Sequence, residues 1–197
     1  MKITGLSSRL IEIDPRPRYR DRRIPSGKPS VWRFPLITVQ TDEGIEGYSM
    51  AYAPHGDGQA IADVLEAVYL PEILGENPLA IEKLWQKIYR KQRHLYNQPD
   101  SLLGVIGVAL CYLRGKIANL PIVDLRGRCR DQMPCYASAR SEAYSAEEFQ
   151  QEALQMRAAG FHAYKLQVRD GEAKDIPRLR AAREAVGPDF PLMQDPN

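Results

Sequence analysis

The sequence predicts an α+β capping domain, an antiparallel β-meander plus helices, over residues 1–130. Over residues 131–197 it predicts the first βαβαβ of a TIM-type (β/α) barrel, incomplete at this length. Three observations carry the prediction. Two alternating runs flank the turn Thr41-Asp42-Glu43-Gly44. Three helical segments follow without an intervening strand. From Met133 onward, strand and helix patterns alternate.

The first domain opens with Ile3, Leu6, Leu10, Ile11 and Ile13, a strand over Lys2 to Asp14. Val31 to Gln40 alternates, with Val31, Arg33, Pro35, Ile37 and Val39 on one face, and Ile45 to Met50 returns as its partner. Gly58 to Tyr69 reads as a helix running into Pro71. Ala80 to Arg93 carries Ile81, Leu84, Trp85 and Ile88 at helical spacing. Ser101 to Lys116 is apolar over most of its circumference and is expected to be buried. A short turn at Ile122 to Leu125 and the segment Arg126 to Asp131 close the domain.

In the second domain Met133 to Ala137 is a short strand candidate. Ser145-Ala146-Glu147-Glu148 is a capping box, and Phe149, Ala153 and Met156 form the buried stripe of a helix ended by Gly160. In Phe161 to Arg169 the apolar Tyr164, Leu166 and Val168 alternate with Lys165, Gln167 and Arg169. Ile176, Leu179, Ala182 and Val186 mark the next helix, stopped by Gly187-Pro188, and Phe190 to Asn197 supplies the third strand.

Lys165 and Gln167 then share one face near the end of one strand, and Asp195 and Asn197 share one face at the end of the next. Carboxyl ends of parallel strands carry the chemistry in such folds, because the loops there vary while the sheet stays fixed. A carboxylate and an amide two residues apart can face a hard cation such as Mg²⁺. A nearby lysine can act on a proton that the cation makes acidic. On these four residues alone, an alternative stays open: Lys165 lays its stem over apolar surface and Asp195 caps the next turn.

Composition narrows the classes. A net charge of +2 on 197 residues implies no nucleic-acid or membrane field. No run approaches the roughly 20 apolar residues of a membrane span. The start Met1-Lys2-Ile3-Thr4-Gly5 lacks a signal peptide's apolar core, so the expected address is cytoplasmic. Cys111, Cys129 and Cys135 show no CxxC spacing and are expected as reduced, space-filling thiols. His55, His94 and His162 lack zinc-ligand spacing.

Lys165-Leu166-Gln167 followed by Asp195-Pro196-Asn197 resembles the mandelate racemase and muconate lactonising branch of the enolase superfamily, which carries Lys-x-Lys and Asp-x-Asn on successive barrel strands. Thr41-Asp42-Glu43-Gly44-Ile45-Glu46-Gly47-Tyr48 looks like that family's TDDG hairpin. Leu113-Arg114-Gly115-Lys116, with Pro121, Leu125 and Gly127, looks like the tail of its ALWDIRGK helix and linker. The resemblance implies Mg²⁺-dependent abstraction of the proton next to a carboxylate, through an enediolate, by a sugar-acid dehydratase or a racemase. It implies Asp195 as the first metal ligand and Asn197 as a support for the substrate carboxylate or the metal shell. Lys165 and Gln167 fall at the catalytic positions. Homo-oligomers are common in the family.

Three departures qualify this. Cys111-Tyr112 replaces a Trp-Asp pair, and in a packed position that swap would cost several kcal/mol. Gln167 stands where the second lysine, usually the base, is expected, and an amide can only hydrogen-bond. A complete barrel takes about 250 residues, more than this chain holds after Met133. Mg²⁺ binding by the chain itself is therefore expected to be weak or absent. A non-catalytic remnant or interaction module is the alternative reading.

Substrate choice rests on two loops. Pro15 to Ser30 carries Arg16, Arg18, Arg20, Arg22, Arg23 and Lys28 against Asp21 alone, and Ala51 to Asp57 carries His55. In the family these loops fold over the barrel mouth, which makes Arg16, Arg18 and His55 candidate contacts to a polyhydroxylated acid. The alternative, a solvated arginine loop, stays open at this point.

Overall fold

In the computed structural model the described residues are 1–14, 31–52, 58–92, 101–138, 145–168 and 170–195. They form two compact units, one of Met1–Asp14 with Val31–Cys129 and one from Arg130 onward.

The first unit is built on a sheet of order β1-β2-β3, with β1 at Ile3–Ile13, β2 at Trp32–Thr41 and β3 at Glu46–Met50. Both pairings are antiparallel. A register shift between Ile3 and Gly5 lets Ile3 and Leu6 both face the core, although an uninterrupted pleat would send them to opposite sides. In β2, Pro35, Ile37 and Val39 are buried as the alternation predicts. Val31 and Arg33 run off the core: both are exposed, and Arg33 Nε donates instead to Glu12 Oε1 at 2.8 Å across the ladder. At the hairpin, Gly44 takes φ +73°, a left-handed conformation costly for other residues. Thr41 Oγ1 closes the turn against both backbone groups of Ile45.

Helix α1 at Gly58–Val64 continues through a π-helical turn at Leu65–Tyr69 into α2 at Leu70–Ile73. The sequence predicts a helix that ends at Tyr69, and the chain instead stays helical through Pro71. Pro71 lacks an N–H, and the wider turn, in which Leu70 N–H donates to Leu65 O, gives its ring room. In α3, Ile81–Gln92, Leu84 and Ile88 are buried, while Trp85 and Tyr89 stack on the outer surface with ring centroids 5.0 Å apart.

Helix α4, Ser101–Ala118, is long and apolar enough to cross a membrane by length and composition alone. Its burial explains that composition: Leu102, Ile106, Ala109, Leu110 and Leu113 lie in one cluster with Ile37, Val39, Leu65 and Leu84. The burial is one-sided, since Val108 and Tyr112 remain exposed. Gly47 of β3 permits this packing; a Cβ there would collide with the Ala109 carbonyl and lie 2.6 Å from Leu113 Cγ. Lys116 fastens the contact by donating to Glu46 O at 2.8 Å, with its ammonium over the rings of Tyr48 and Tyr112. The Cys111-Tyr112 departure therefore carries no core penalty. Cys111 is half-buried, and Tyr112 joins an exposed cation–π cluster. The short α5, Ile122–Leu125, follows. Cys129 and Cys135 are exposed and so do not fill space as expected.

In the second unit β4, at Tyr136–Ser138, begins later than the expected Met133, which is exposed. Helix α6 spans Ala146–Ala158, β5 Ala163–Gln167, α7 Glu172–Val186 and β6 Leu192–Asp195. The strands pair in parallel in the order β4-β5-β6. Ser145 caps α6 as a full capping box. Phe149, Ala153, Ala182 and Val186 from the helices pack on Ala137, Tyr164, Leu166 and Val168 from the strands. Ile176, expected in this stripe, is 49% exposed, and Arg178 takes the inward position. Arg178, Ala182 and Val186 are spaced four apart and share a face from which Ile176 is rotated away.

Candidate active site

The same alternation that buries Tyr164, Leu166 and Val168 against the helices turns Lys165 and Gln167 to the other face of the sheet. Register places Ser138 and Met193 beside Lys165, and Asp195 beside Gln167. Tyr136 and Ser138, Lys165 and Gln167, and Met193 and Asp195 thus occupy one face at successive levels.

Lys165 Nζ donates to Asp195 Oδ2 at 2.7 Å, between adjacent parallel strands. The two side chains are 27% and 26% exposed, so each reaches solvent while its stem is covered. The hydrogen bond to Asp195 raises the Lys165 pKa above its ordinary value, and the Asp195 charge adds to this against an opposing desolvation. In this arrangement Lys165 is an ammonium ion at neutral pH. Its Nζ also lies 6.0 Å from the centroid of the Tyr136 ring.

The loop leaving the carboxyl end of β5 is held from below. Asp175 Oδ2 accepts the backbone N–H groups of Asp170 and Gly171 at 3.0 Å each. Arg178, almost fully buried, donates to Asp170 at 2.7 Å and to Asp175 at 3.0 Å, with its guanidinium over the Phe149 ring. These bonds hold Asp170 and Gly171 against the first turns of α7.

Of the site residues expected from the sequence, the structure brings Lys165, Gln167 and Asp195 together. Asn197, Arg16, Arg18 and His55 lie outside the described residues. Tyr136 and Arg178 were missed. Tyr136 shares parity with Ser138, but only the strand register reveals that this pair faces Lys165. Arg178 carried no signal, since a buried arginine in a basic helix reads as solvated.

Asp195 suits a hard cation. It is an oxygen donor at a strand's carboxyl end, and it already holds a positive charge, the Lys165 ammonium. Gln167 adds one amide oxygen at the same level. Among the described residues no three His, Cys, Asp or Glu side chains converge, so Asp195 is one fitting ligand of the six that Mg²⁺ takes.

Residues 13–127 match the family described as mandelate racemase / muconate lactonizing enzyme, N-terminal domain, and residues 148–197 match the enolase C-terminal domain-like family. Two curated relatives match over most of this chain. D-galactarolactone cycloisomerase of Agrobacterium fabrum is 30% identical over 168 residues, 82% of this chain and 43% of that protein. L-talarate/galactarate dehydratase of Salmonella typhimurium is 29% identical over 166 residues, 82% of this chain and 42% of that protein. D-glucarate dehydratase from Agrobacterium tumefaciens, solved with magnesium, superposes with a TM-score of 0.84 at 28% identity, covering 99% of this chain and 54% of that one. The chain spans about half the length of the relatives it matches.

Proposed function

Since the chain belongs to the mandelate racemase / muconate lactonizing enzyme family, we propose that it supplies the cap, residues 1–130, and the opening barrel strands, residues 131–197, of an enzyme that abstracts the proton next to a carboxylate. A sugar acid is the proposed substrate and dehydration the leading reaction, with racemisation and cycloisomerisation behind it. The observation that carries the reading is the Lys165–Asp195 pair, a cation and a carboxylate 2.7 Å apart on adjacent strand ends. The relatives named L-talarate/galactarate dehydratase and D-galactarolactone cycloisomerase support the substrate class.

In this proposal Lys165 holds or moves the proton at its Nζ, and Gln167 donates a hydrogen bond to the substrate oxygen that gains charge. Asp195 would hold Mg²⁺, which when bound offsets the negative charge of the enediolate, and Asn197 would support the substrate carboxylate or the metal shell. Arg16, Arg18 and His55 bind the substrate's carboxylate and hydroxyls. A cytoplasmic homo-oligomer without nucleic-acid or membrane partners completes the reading. The ordinary net charge of +2 supports that last part.

The test is solvent-deuterium incorporation next to the carboxylate of aldonic and aldaric acids, by a polypeptide joining this chain to the remainder of a barrel. Lys165→Met is expected to remove the exchange, and Gln167→Lys to raise it. Exchange that survives both Lys165→Met and Asp195→Asn refutes the assignment. A second reading, a non-catalytic module, is favoured by Gln167 at the base position; it predicts no exchange in any form.

A further inference from the structure

We propose that the cleft bordered by α2 and α3 binds a phosphate-bearing small molecule, with Arg90, Lys87 and Lys91 holding its phosphoryl oxygens. The cleft belongs to the first unit and shares no residue with the Lys165–Asp195 pair.

The cleft has a volume of about 590 Å³ and is lined by Glu72, Lys83, Gln86, Lys87, Arg90 and Lys91. That volume lies within the roughly 300–1,000 Å³ of small-molecule sites. Lys83, Lys87, Arg90 and Lys91 fall at i, i+4, i+7 and i+8 along α3, so helical spacing brings all four cations to one side. Two carboxylates organise them. Glu76 Oε2 accepts from Lys83 Nζ at 2.7 Å and Glu76 Oε1 from Lys87 Nζ at 3.1 Å, while Glu72 Oε1 lies 3.4 Å from Lys91 Nζ. The Glu76 and Glu72 side chains are 23% and 25% exposed, and the lysines between 40% and 65%. The acids thus form a floor that tethers the ammonium groups, which stand above it toward solvent. An ammonium has three N–H donors, so a lysine held by one carboxylate keeps donors for a ligand.

Four cations against Glu72 and Glu76 leave an excess of positive charge, and Arg90 carries it: the guanidinium pairs with no carboxylate among the described residues. Its fork of N–H groups matches phosphate oxygens. Exposed ion pairs of this kind are individually weak, so an anion can share the lysines without disturbing the fold. A phosphoryl group carries about −1.5 to −2 at neutral pH, which suits the excess better than a single carboxylate does. The cleft is larger than that group alone needs, which leaves room for the body of a small molecule.

The test is calorimetric titration of the 197-residue chain at low ionic strength with inorganic pyrophosphate, a hexose 6-phosphate and hexaglutamate. Both phosphates are expected to bind saturably. Arg90→Gln is expected to weaken them about tenfold, and Glu72→Gln, which removes a negative charge from the lining, to tighten them several-fold. Loss of folding cannot produce shifts in both directions, and circular dichroism checks each variant. No saturable binding of pyrophosphate up to about 10 mM, an affinity that Arg90→Gln leaves unchanged, or no tightening in Glu72→Gln overturns the site. Binding of pyrophosphate without the hexose phosphate reduces the ligand to an inorganic ion and overturns the small-molecule assignment. Hexaglutamate binding more tightly than either phosphate overturns it in favour of an acidic protein segment.

Discussion

Replacing Arg178 by Met should destabilise the second unit by about 2–3 kcal/mol. The guanidinium is 9% exposed and pairs with Asp170 and Asp175, whose side chains are 30% and 13% exposed. Removing one partner of a fully buried pair costs roughly 3–5 kcal/mol, because the surviving charge stays desolvated. Two features lower that figure here. Asp170 is open enough for water to replace the lost donor, and Asp175 keeps the backbone N–H groups of Asp170 and Gly171. Met retains most of the stem packing, so the substitution isolates the charge; Arg178→Ala should cost about 1 kcal/mol more. For a unit of this size each kcal/mol moves the melting temperature by about 4–8 °C. Urea unfolding followed by near-ultraviolet circular dichroism gives the free energy, and amide exchange at Gly171 reports whether the loop opens. Adding Asp175→Asn to Arg178→Met should recover part of the loss, since no unpaired charge then remains at that position. A loss under about 0.5 kcal/mol for Arg178→Met, or no recovery in the double variant, would refute the view that this guanidinium closes the loop.

Two other outcomes concern the first unit, and one the whole chain. Gly47→Ala should cost at least about 2 kcal/mol in urea unfolding, because the added methyl must push β3 away from the Ala109 carbonyl; an unchanged midpoint would mean the contact is loose. Hydrogen bonds from Lys83 and then Lys87 hold the Glu76 carboxyl below its ordinary value of 4.5. Its contribution to stability is complete above that ordinary value and is lost as pH falls through the depressed folded one, so Glu76→Gln should flatten the acid limb of the stability profile. The 197-residue chain by itself is expected to show no Mg²⁺-dependent turnover of sugar acids, since Asp195 is the one fitting ligand among the described residues. Product formation by purified material of this length would overturn that expectation.

What could be read from the sequence follows from which signals are local. Parity is local: Tyr164, Leu166 and Val168 against Lys165 and Gln167 fixed which side chains leave the core. With parallel pairing, that was enough to put Lys165, Gln167 and Asp195 on one face of the sheet. Pairing offset is not local, so Tyr136 was invisible as a neighbour of Lys165 until Ser138 was seen beside that lysine. Residue type misled at Ile176 and Arg178, where two carboxylates and an aromatic ring outweighed the preference for burying the isoleucine. It misled again at Cys111-Tyr112, where Tyr112 lies on the surface and Cys111 is only half-buried. Pro71 was taken as a stop because regular helical geometry forbids it, and the chain changed geometry instead.

That change of geometry bears on how the polypeptide tolerates a shorter length. The segment Leu65–Tyr69 already holds one residue more than an ordinary helix needs to reach Leu70. Removing a residue there would tighten the coil and leave Ile73 directed as it now is. The same deletion within Gly58–Val64 would swing Ile73 about 100° around the axis and out of its buried seat. The surplus residue acts as slack, and evolution or an engineer can take it up at that one place.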